Sequence, residues 1–463
     1  MAALDLVPNR PNHGRSASAP PSIEESGVLL PPNRFYNEES QRISNMIDDE
    51  LKKESALRKE AKRKEIKVML LGQAESGKST LQKQFQLYYA SQSLEHERPS
   101  WKPIVHFNII KAVRMILDEI EYEVSRTEND EETEAEVEVE SIEIADADKT
   151  ELMDLRKRLL QVVALHDSLA SELSGGVSIT GGRTGVFVRS GWQTLLTPSR
   201  GWMGNVASTK STAVAGMAAK TLNSSQDEIR QLWSHPVVKK FLDLRRIRLE
   251  ESAPFFLDNL ERIVQPDYVP GIEDVLSVRL QTLGVIEHSF PINLGGTMYD
   301  WRLYDVGGAR GQRHAWVPYF DDATAIIFLA PISAFDQYLE EDPRTNRIDD
   351  SLQLFTAICS NQLLNKAHLV LMLNKTDLLK QKLKAGIKVA KYITSYGKRP
   401  NKYEDVSNYF RAHFIQIHKR KDISNRALYV HFTSMLDIKA TQSIIVNVGE
   451  AIIRQHIAQT GLA

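Results

Sequence analysis

The densest chemistry in this chain lies in Gly72-Gln73-Ala74-Glu75-Ser76-Gly77-Lys78-Ser79-Thr80, which satisfies the pattern GxxxxGK[ST]. Residues 66–71 just before it form a short, β-branch-rich apolar run that reads as a buried strand. Glycines in such a turn let backbone N–H groups curl around phosphate oxygens, and the helix expected next presents its positive N-terminal end to the same charge. Lys78 would reach the outer phosphates of a nucleoside triphosphate, and the Ser79 hydroxyl would ligate Mg²⁺.

Chemistry on a triphosphate needs a second carboxylate for the metal. Asp305 ends the apolar strand Trp301-Arg302-Leu303-Tyr304 and precedes Val306-Gly307-Gly308. An aspartate at a strand's carboxyl end can hold the metal while the next backbone N–H meets a γ-phosphate. Alone, Asp-x-Gly-Gly is an ordinary turn; the phosphate loop gives it a partner. Choice of base falls to Asn374-Lys375-Thr376-Asp377, which follows the apolar run 368–373. A carboxylate accepting from guanine N1–H and N2–H₂ together rejects adenine, whose edge offers the wrong donor and acceptor pattern. Four such residues in isolation are more often a loop than a ligand site, so their place after a later strand of the same sheet carries the reading.

Those motifs need a scaffold, and the hydrophobic pattern supplies one. Further strand-like runs occupy 298–304, 325–330, 367–373 and 427–432, and helical patterns separate most of them, which predicts a mainly parallel α/β sheet. Runs 286–294 and 298–304 flank Gly295-Gly296, a hairpin signal that adds one antiparallel edge strand. Between the first strand and the rest, 101–121 and 227–263 carry helical periodicity and predict an all-helical insert. The acidic stretch 128–148 and the Gly/Ser/Thr-rich stretch 175–225 read as solvated or disordered loops. Residues 1 to about 35 are rich in Pro, Ser and Asn and read as a disordered arm. A charged stretch follows, with Ile43, Ile47 and Leu51 on one helical stripe that would suit a partner.

Composition narrows the class further. With 58 Lys+Arg against 60 Asp+Glu, the formal charge of -2 lacks the basic excess of a general nucleic-acid binder. The single cysteine, Cys359, cannot pair within the chain, which fits a reducing compartment. No apolar run approaches the roughly 20 residues that span a bilayer, and the amino terminus carries no signal-peptide pattern. The expectation is a soluble cytoplasmic protein.

Together the three motifs resemble the Ras-like GTPases, and finer details look like one branch, the α subunits of heterotrimeric G proteins, in a divergent form whose insertions are fungal-like. Glu75-Ser76-Gly77-Lys78-Ser79-Thr80 looks like that family's phosphate loop. Asp274-Val275-Leu276-Ser277-Val278-Arg279-Leu280-Gln281-Thr282 is similar to its first switch. Glu251-Ser252-Ala253-Pro254-Phe255-Phe256-Leu257 and Gln265-Pro266-Asp267-Tyr268-Val269-Pro270 look like the end of its helical domain. The segment 346–355 resembles a helix of the family, and Ile444, Val448 and Ile452 resemble its receptor-binding tail helix.

The resemblance implies an α/β fold: a Ras-like P-loop GTPase domain (65–90 and 272–463) with a mainly parallel six-stranded sheet, plus an inserted all-helical domain (91–271) with disordered insertions near 126–150 and 173–225. A disordered arm (1–36) and a βγ-binding helix (37–64) would precede it. It implies GTP or GDP contacts from Gly72, Glu75, Ser76, Gly77, Lys78, Ser79, Thr80, Glu251, Ser252, Leu276, Ser277, Val278, Arg279, Thr282, Asp305, Val306, Gly307, Gly308, Asn374, Lys375, Asp377 and Met435, the last lying where the family makes a backbone contact to guanine. Arg279 would be catalytic, neutralising charge on the transferring phosphoryl group in cis. Ser79 and Thr282 would ligate Mg²⁺ directly and Asp305 through water. Implied partners are a βγ dimer, a G protein-coupled receptor and an effector such as adenylate cyclase, with no nucleic acid.

The chain departs from that pattern at two points near the reacting phosphate. Ala309 stands where the family has the glutamine that orients the attacking water. Gln312 lies three residues on and would have to be re-aimed to replace it. Ala74 occupies a normally glycine position, where its methyl would crowd the same step. Slow GTP hydrolysis with binding retained is the expectation; the alternatives are a non-hydrolysing nucleotide-bound scaffold, a P-loop ATPase or kinase, which Asn374, Lys375 and Asp377 oppose, and a purely structural role. The start Met1-Ala2-Ala3 lacks the glycine that N-myristoylation needs, and no cysteine lies near it for palmitoylation, so attachment at the inner face of the plasma membrane would run through partners. Thr460 replaces the family's common tail cysteine. Arg15-Ser16-Ala17-Ser18-Ala19-Pro20 resembles a phosphoserine-dependent adaptor site.

Overall fold

The computed structural model describes residues 34–129, 144–174, 187–188, 207–244 and 249–460. The chain divides into two compact units, Met1–Ala61 and Lys62–Ala463. What is described of the first is the body of helix Arg34–Lys64, on which Ile43, Ile47 and Leu51 are exposed. The amino-terminal arm and its serine motif lie outside the described residues.

The second unit is built on a six-stranded sheet: β1 (Glu65–Leu71), β2 (Val285–Leu294), β3 (Thr297–Val306), β4 (Ala325–Pro331), β5 (His368–Asn374) and β6 (Leu428–Phe432). Their order is β2-β3-β1-β4-β5-β6. All neighbours run parallel except β2, which pairs antiparallel with β3 across the two-residue turn Gly295-Gly296. Because helices cover both faces, the central strands are buried throughout, which is why they read as unbroken apolar runs rather than alternating ones. On one face Ile66, Val68, Leu70 and Trp301 pack with Phe85 of helix Lys78–Tyr89 and with Ile445, Val448 and Ile452 of helix Ile438–Thr460. On the other, Met69, Leu71 and Phe328 meet Phe355 of helix Arg347–Cys359 and Phe410 and Phe414 of helix Tyr403–Lys421.

A second, separate core belongs to the helical part. Helix Lys102–Asn129 buries Ile104, Val105, Ile109, Ile110, Val113, Ile116, Leu117 and Ile120. That set is wider than one stripe, so this helix is enclosed by others rather than laid on a surface. Helices Asp146–Val163, Leu165–Leu173, Gln226–Ser234 and Pro236–Asp243 share its core. The pattern read as continuous over 227–263 is in fact broken into short helices, with Pro236 and Pro254 each inside a first turn.

Both stretches expected to be disordered are partly helical. The acidic one gives up its end to helix Asp146–Val163, whose first-turn Asp146 and Asp148 suit the positive end of a helix and whose Leu152, Leu155, Leu159 and Val162 are buried. Helix Ala207–Ser224 covers the end of the Gly/Ser/Thr-rich stretch. Alanine has the highest helix propensity, and Ala218 and Leu222, one turn apart, are fully buried in the helical core. Few large side chains are needed for a helix to dock when its small ones permit close approach. The rest of both stretches lies outside the described residues. Among those residues no helix is long and apolar enough to cross a membrane. The architecture is α/β, a six-stranded, mainly parallel Ras-like sheet with a helical part inserted after its first strand.

Candidate functional site

β1 ends at Leu71 and the next helix begins at Lys78, so 72–77 form the connecting turn at the sheet's carboxyl edge, where open α/β sheets bind ligands. Gly77 has φ 99, and any side chain there would run into Nδ2 of Asn374. Glu75 adopts a left-handed φ of 61, unfavourable for a non-glycine residue and held only where surroundings over-determine it. Here its carboxylate is fixed by Arg347 at 2.7 Å and by Arg279. Burial alone would raise the Glu75 pKa; Arg347, then Arg279 and Lys375, outweigh it and hold the carboxyl far below its usual range. Lys78 is buried, its Nζ donating to the carbonyls of Gly72 at 2.9 Å and Gln73 at 2.8 Å. Loss of water pulls its pKa down to about 8, although Asp305 opposes the shift.

At the next residue, three oxygens meet. Ser79 Oγ donates to Asp305 Oδ2 at 2.7 Å, Thr282 Oγ1 donates to the same oxygen at 3.0 Å, and the two hydroxyls lie 3.1 Å apart. Asp305 Oδ1 and Ser76 Oγ are buried with no hydrogen-bond partner among the described residues. A set of hard oxygen donors with an unspent carboxylate oxygen is the chemistry that Mg²⁺ prefers. The residues therefore fit that ion.

Asn374 joins the third motif to the first. Its Nδ2 donates to the Ser76 carbonyl at 2.8 Å, and Thr433 Oγ1 donates to its Oδ1 at 3.1 Å. Lys375 is left-handed at φ 63, and Asp377 stands half-buried in the first turn of helix Thr376–Lys384. The buried Met435 holds its carbonyl against Gln84 Nε2 at 2.8 Å. The ends of β1, β3 and β5 and the loop after β6 thus deliver the three motifs to one place, as the spacing implied.

The helical part reaches the same place through charge. Glu251 pairs with Lys375, while Ser252 caps helix Ala253–Asp258 without a side-chain bond. Leu276 and Val278 are buried, so what they offer a ligand is backbone. Arg279 is gripped from two sides, by Glu75 and by Glu250 at 2.8 Å, and Glu250 is also paired with Lys111. Glu250 and Lys111 were not legible as site residues, and neither was Arg347. From helix Arg347–Cys359, Arg347 donates to Ala74 O at 2.5 Å and Gln73 Oε1 at 3.3 Å, and Gln73 Nε2 donates back to the Arg347 carbonyl at 2.7 Å. No local pattern marks them, because each acts on a segment far away in sequence.

A second carboxylate cluster, Asp148, Glu151 and His235, lies in the helical part. His235 Nδ1 accepts from Val237 N–H at 3.2 Å, so the neutral ring carries its proton on Nε2, which faces the carboxylates at 3.9–4.0 Å. A metal would need that nitrogen's lone pair and would cost the helix its cap, so the cluster reads as polar packing.

Comparison with known proteins agrees with this geometry. The family model described as G-protein alpha subunit matches residues 41–452. The chain is 33% identical to the guanine nucleotide-binding protein alpha-4 subunit of Mycosarcoma maydis, over 86% of this chain and 83% of that one. It is 28% identical to the alpha-1 subunit of the same organism, over 92% of this chain and 98% of that one. A guanine nucleotide-binding protein subunit alpha of Cochliobolus heterostrophus is also 28% identical, over 92% and 97%. With its sheet order, its phosphate turn and a family match over most of its length, this chain belongs to the G-protein alpha-subunit family.

Proposed function

We propose that the protein binds GTP and GDP with Mg²⁺, acts as a signalling switch, and hydrolyses GTP slowly. One observation carries the nucleotide reading: Ser79 bonded to Asp305 and Asn374 bonded to Ser76 draw the phosphate, metal and base motifs into one site. In this reading the 72–80 turn and Lys78 hold phosphates, Asp377 and the Met435 backbone read guanine, and Arg279 leaves its carboxylates to meet the transferring phosphoryl group. Ser79 and Thr282, with Asp305 behind them, would hold the Mg²⁺, which when bound neutralises phosphate charge. Residues 65–90 and 272–463 serve as the GTPase domain and 91–271 as the helical one. A βγ dimer, a receptor and an effector such as an adenylate cyclase are the partners implied, with action at the inner face of the plasma membrane.

Slow hydrolysis rests on Ala309 and Ala74. A methyl built on Gly308 would lie 2.5 Å from the Ala74 backbone nitrogen, so the residue just before Ala309 packs against the turn that carries Ala74. Alanine at 309 offers nothing to aim a water, and the methyl at 74 narrows the room beside it. The competing reading, a GTP-bound scaffold without turnover, draws on the same two residues. Calorimetry with GTP, GDP and ATP, followed by single-turnover phosphate release, separates them. We expect GTP and GDP to bind, ATP not to compete, and Ala309→Gln to speed release by roughly tenfold or more. Wild-type release as fast as in α subunits with glutamine at that position would defeat slow hydrolysis, and no heat with either guanine nucleotide would defeat the whole reading.

A further inference from the structure

Gln312 Oε1 is buried and has no hydrogen-bond partner among the described residues. A buried unpaired acceptor is costly, so its position calls for a function. The 3₁₀ helix Arg310–Tyr319 puts it there: Gln312 N–H donates to the Ala309 carbonyl at 3.0 Å, and the side chain folds back over Gly307. The segment is pinned at two points. Trp316 Nε1 donates to the Gly307 carbonyl at 2.9 Å, and Arg313 grips Asp350 through bonds of 3.1 and 2.6 Å. A Cβ built on Gly307 would collide with Gln312 Oε1 and lie 2.7 Å from the Thr282 carbonyl oxygen. Two acceptors, one side-chain amide and one backbone carbonyl, therefore stand close enough together beside Gly307 for one water to bridge them. Gly307 lies two residues beyond Asp305 and one before Gly308, which itself packs on the phosphate turn.

We propose that the Gln312 carboxamide, together with the Thr282 carbonyl, aims the water that attacks GTP, the task that Ala309 cannot perform. The proposal rests on the nucleotide reading above. A water giving its two protons to two acceptors is left with a lone pair pointing away from both, which is the orientation an in-line attack requires. The step balances without a proton on the amide. The water oxygen bonds to the γ-phosphorus, the bond from that phosphorus to the β–γ bridging oxygen breaks with its electron pair leaving on GDP, and of the two water protons one stays on the attacking oxygen while the other passes to a non-bridging oxygen of the same phosphate, which leaves as dihydrogen phosphate. Gln312 aims the water from three residues further along than the usual position, and glycine at 307 is what lets its amide approach.

The test compares Gln312→Ala and Gln312→Met with wild type by single-turnover phosphate release, alongside GTP affinity and GTP dissociation rate. Methionine fills the same space without an amide, so it separates packing from water aiming. The expected result is a release rate roughly tenfold or more lower in both variants, with GTP affinity and dissociation within about twofold of wild type. Gln312→Met hydrolysing like wild type would overturn the proposal, as would wild type that binds GTP and releases no phosphate; both leave the nucleotide reading intact. Wild type binding neither GTP nor GDP removes that reading and this proposal together.

Discussion

Replacing Glu250 by glutamine keeps the shape of a nearly buried side chain and removes the charge between two cations. One oxygen, Oε1, serves both Lys111 Nζ and Arg279 Nη1, and the side chains of Glu250 and Lys111 are only 9% and 5% exposed. Without the carboxylate, Lys111 and Arg279 face each other across a site with little water. Two unit charges about 4 Å apart at an effective dielectric near 20 repel by about 4 kcal/mol, and breaking buried pairs from one side costs about 3–5 kcal/mol. The cost has an outlet in Lys111. Burial already lowers its pKa against the upward pull of Glu250, with Arg279 adding to the lowering. Removing Glu250 lowers it further, so the lysine gives up its proton at lower pH than in wild type. A lysine with a depressed folded pKa leaves the unfolded chain holding more protons between that pKa and about 10.5, so stability rises with pH through that window. In Glu250→Gln the window opens at lower pH, so the deficit against wild type should shrink as pH rises toward the ordinary lysine range. Urea denaturation at several pH values measures this directly. Lys111→Met supplies the cycle: the double variant should lose at least about 1 kcal/mol less than the sum of the singles. Additive losses, or a Glu250→Gln deficit below about 1 kcal/mol at every pH, would refute the claim that this carboxylate carries buried charge.

Two further outcomes follow from the site. With burial holding Lys78 near 8 and phosphate favouring its ammonium form, GDP affinity should be flat below about pH 8 and weaken by up to about tenfold per unit above it; Lys78→Arg, which does not titrate, should bind without that break, and calorimetry from pH 7 to 8.8 decides. On the proposed reading, Asp377→Ala removes the acceptor of two bonds to guanine, each worth about 1.5–3 kcal/mol when charged, so GTP affinity should fall at least about 100-fold and preference over ATP collapse; unchanged selectivity in competition binding would move base recognition elsewhere.

How much of this was legible beforehand depended on whether the signal was local. The phosphate turn, Asp305 and Asn374-Lys375-Thr376-Asp377 each sit at the end of an apolar run, and a parallel sheet sends all such ends to one edge. That is why their meeting could be foreseen without coordinates. The Gly295-Gly296 hairpin and the helix carrying Ile43, Ile47 and Leu51 were equally open to pattern reading. Helix Ala207–Ser224 was not, because a composition of small residues resembles that of a loop until a neighbour accepts Ala218 and Leu222.

The amino-acid sequence by itself determined the sheet, the order of its motifs and the chemistry they can do, since backbone periodicity and residue type are properties of short segments. Tertiary structure alone decided which partners constrain that chemistry. It set Arg279 between Glu75 and Glu250, anchored the phosphate turn with Arg347, and laid the Gln312 amide over Gly307. Each of these depends on distances between residues far apart in the chain, and long-range charge and packing leave no mark on local spacing.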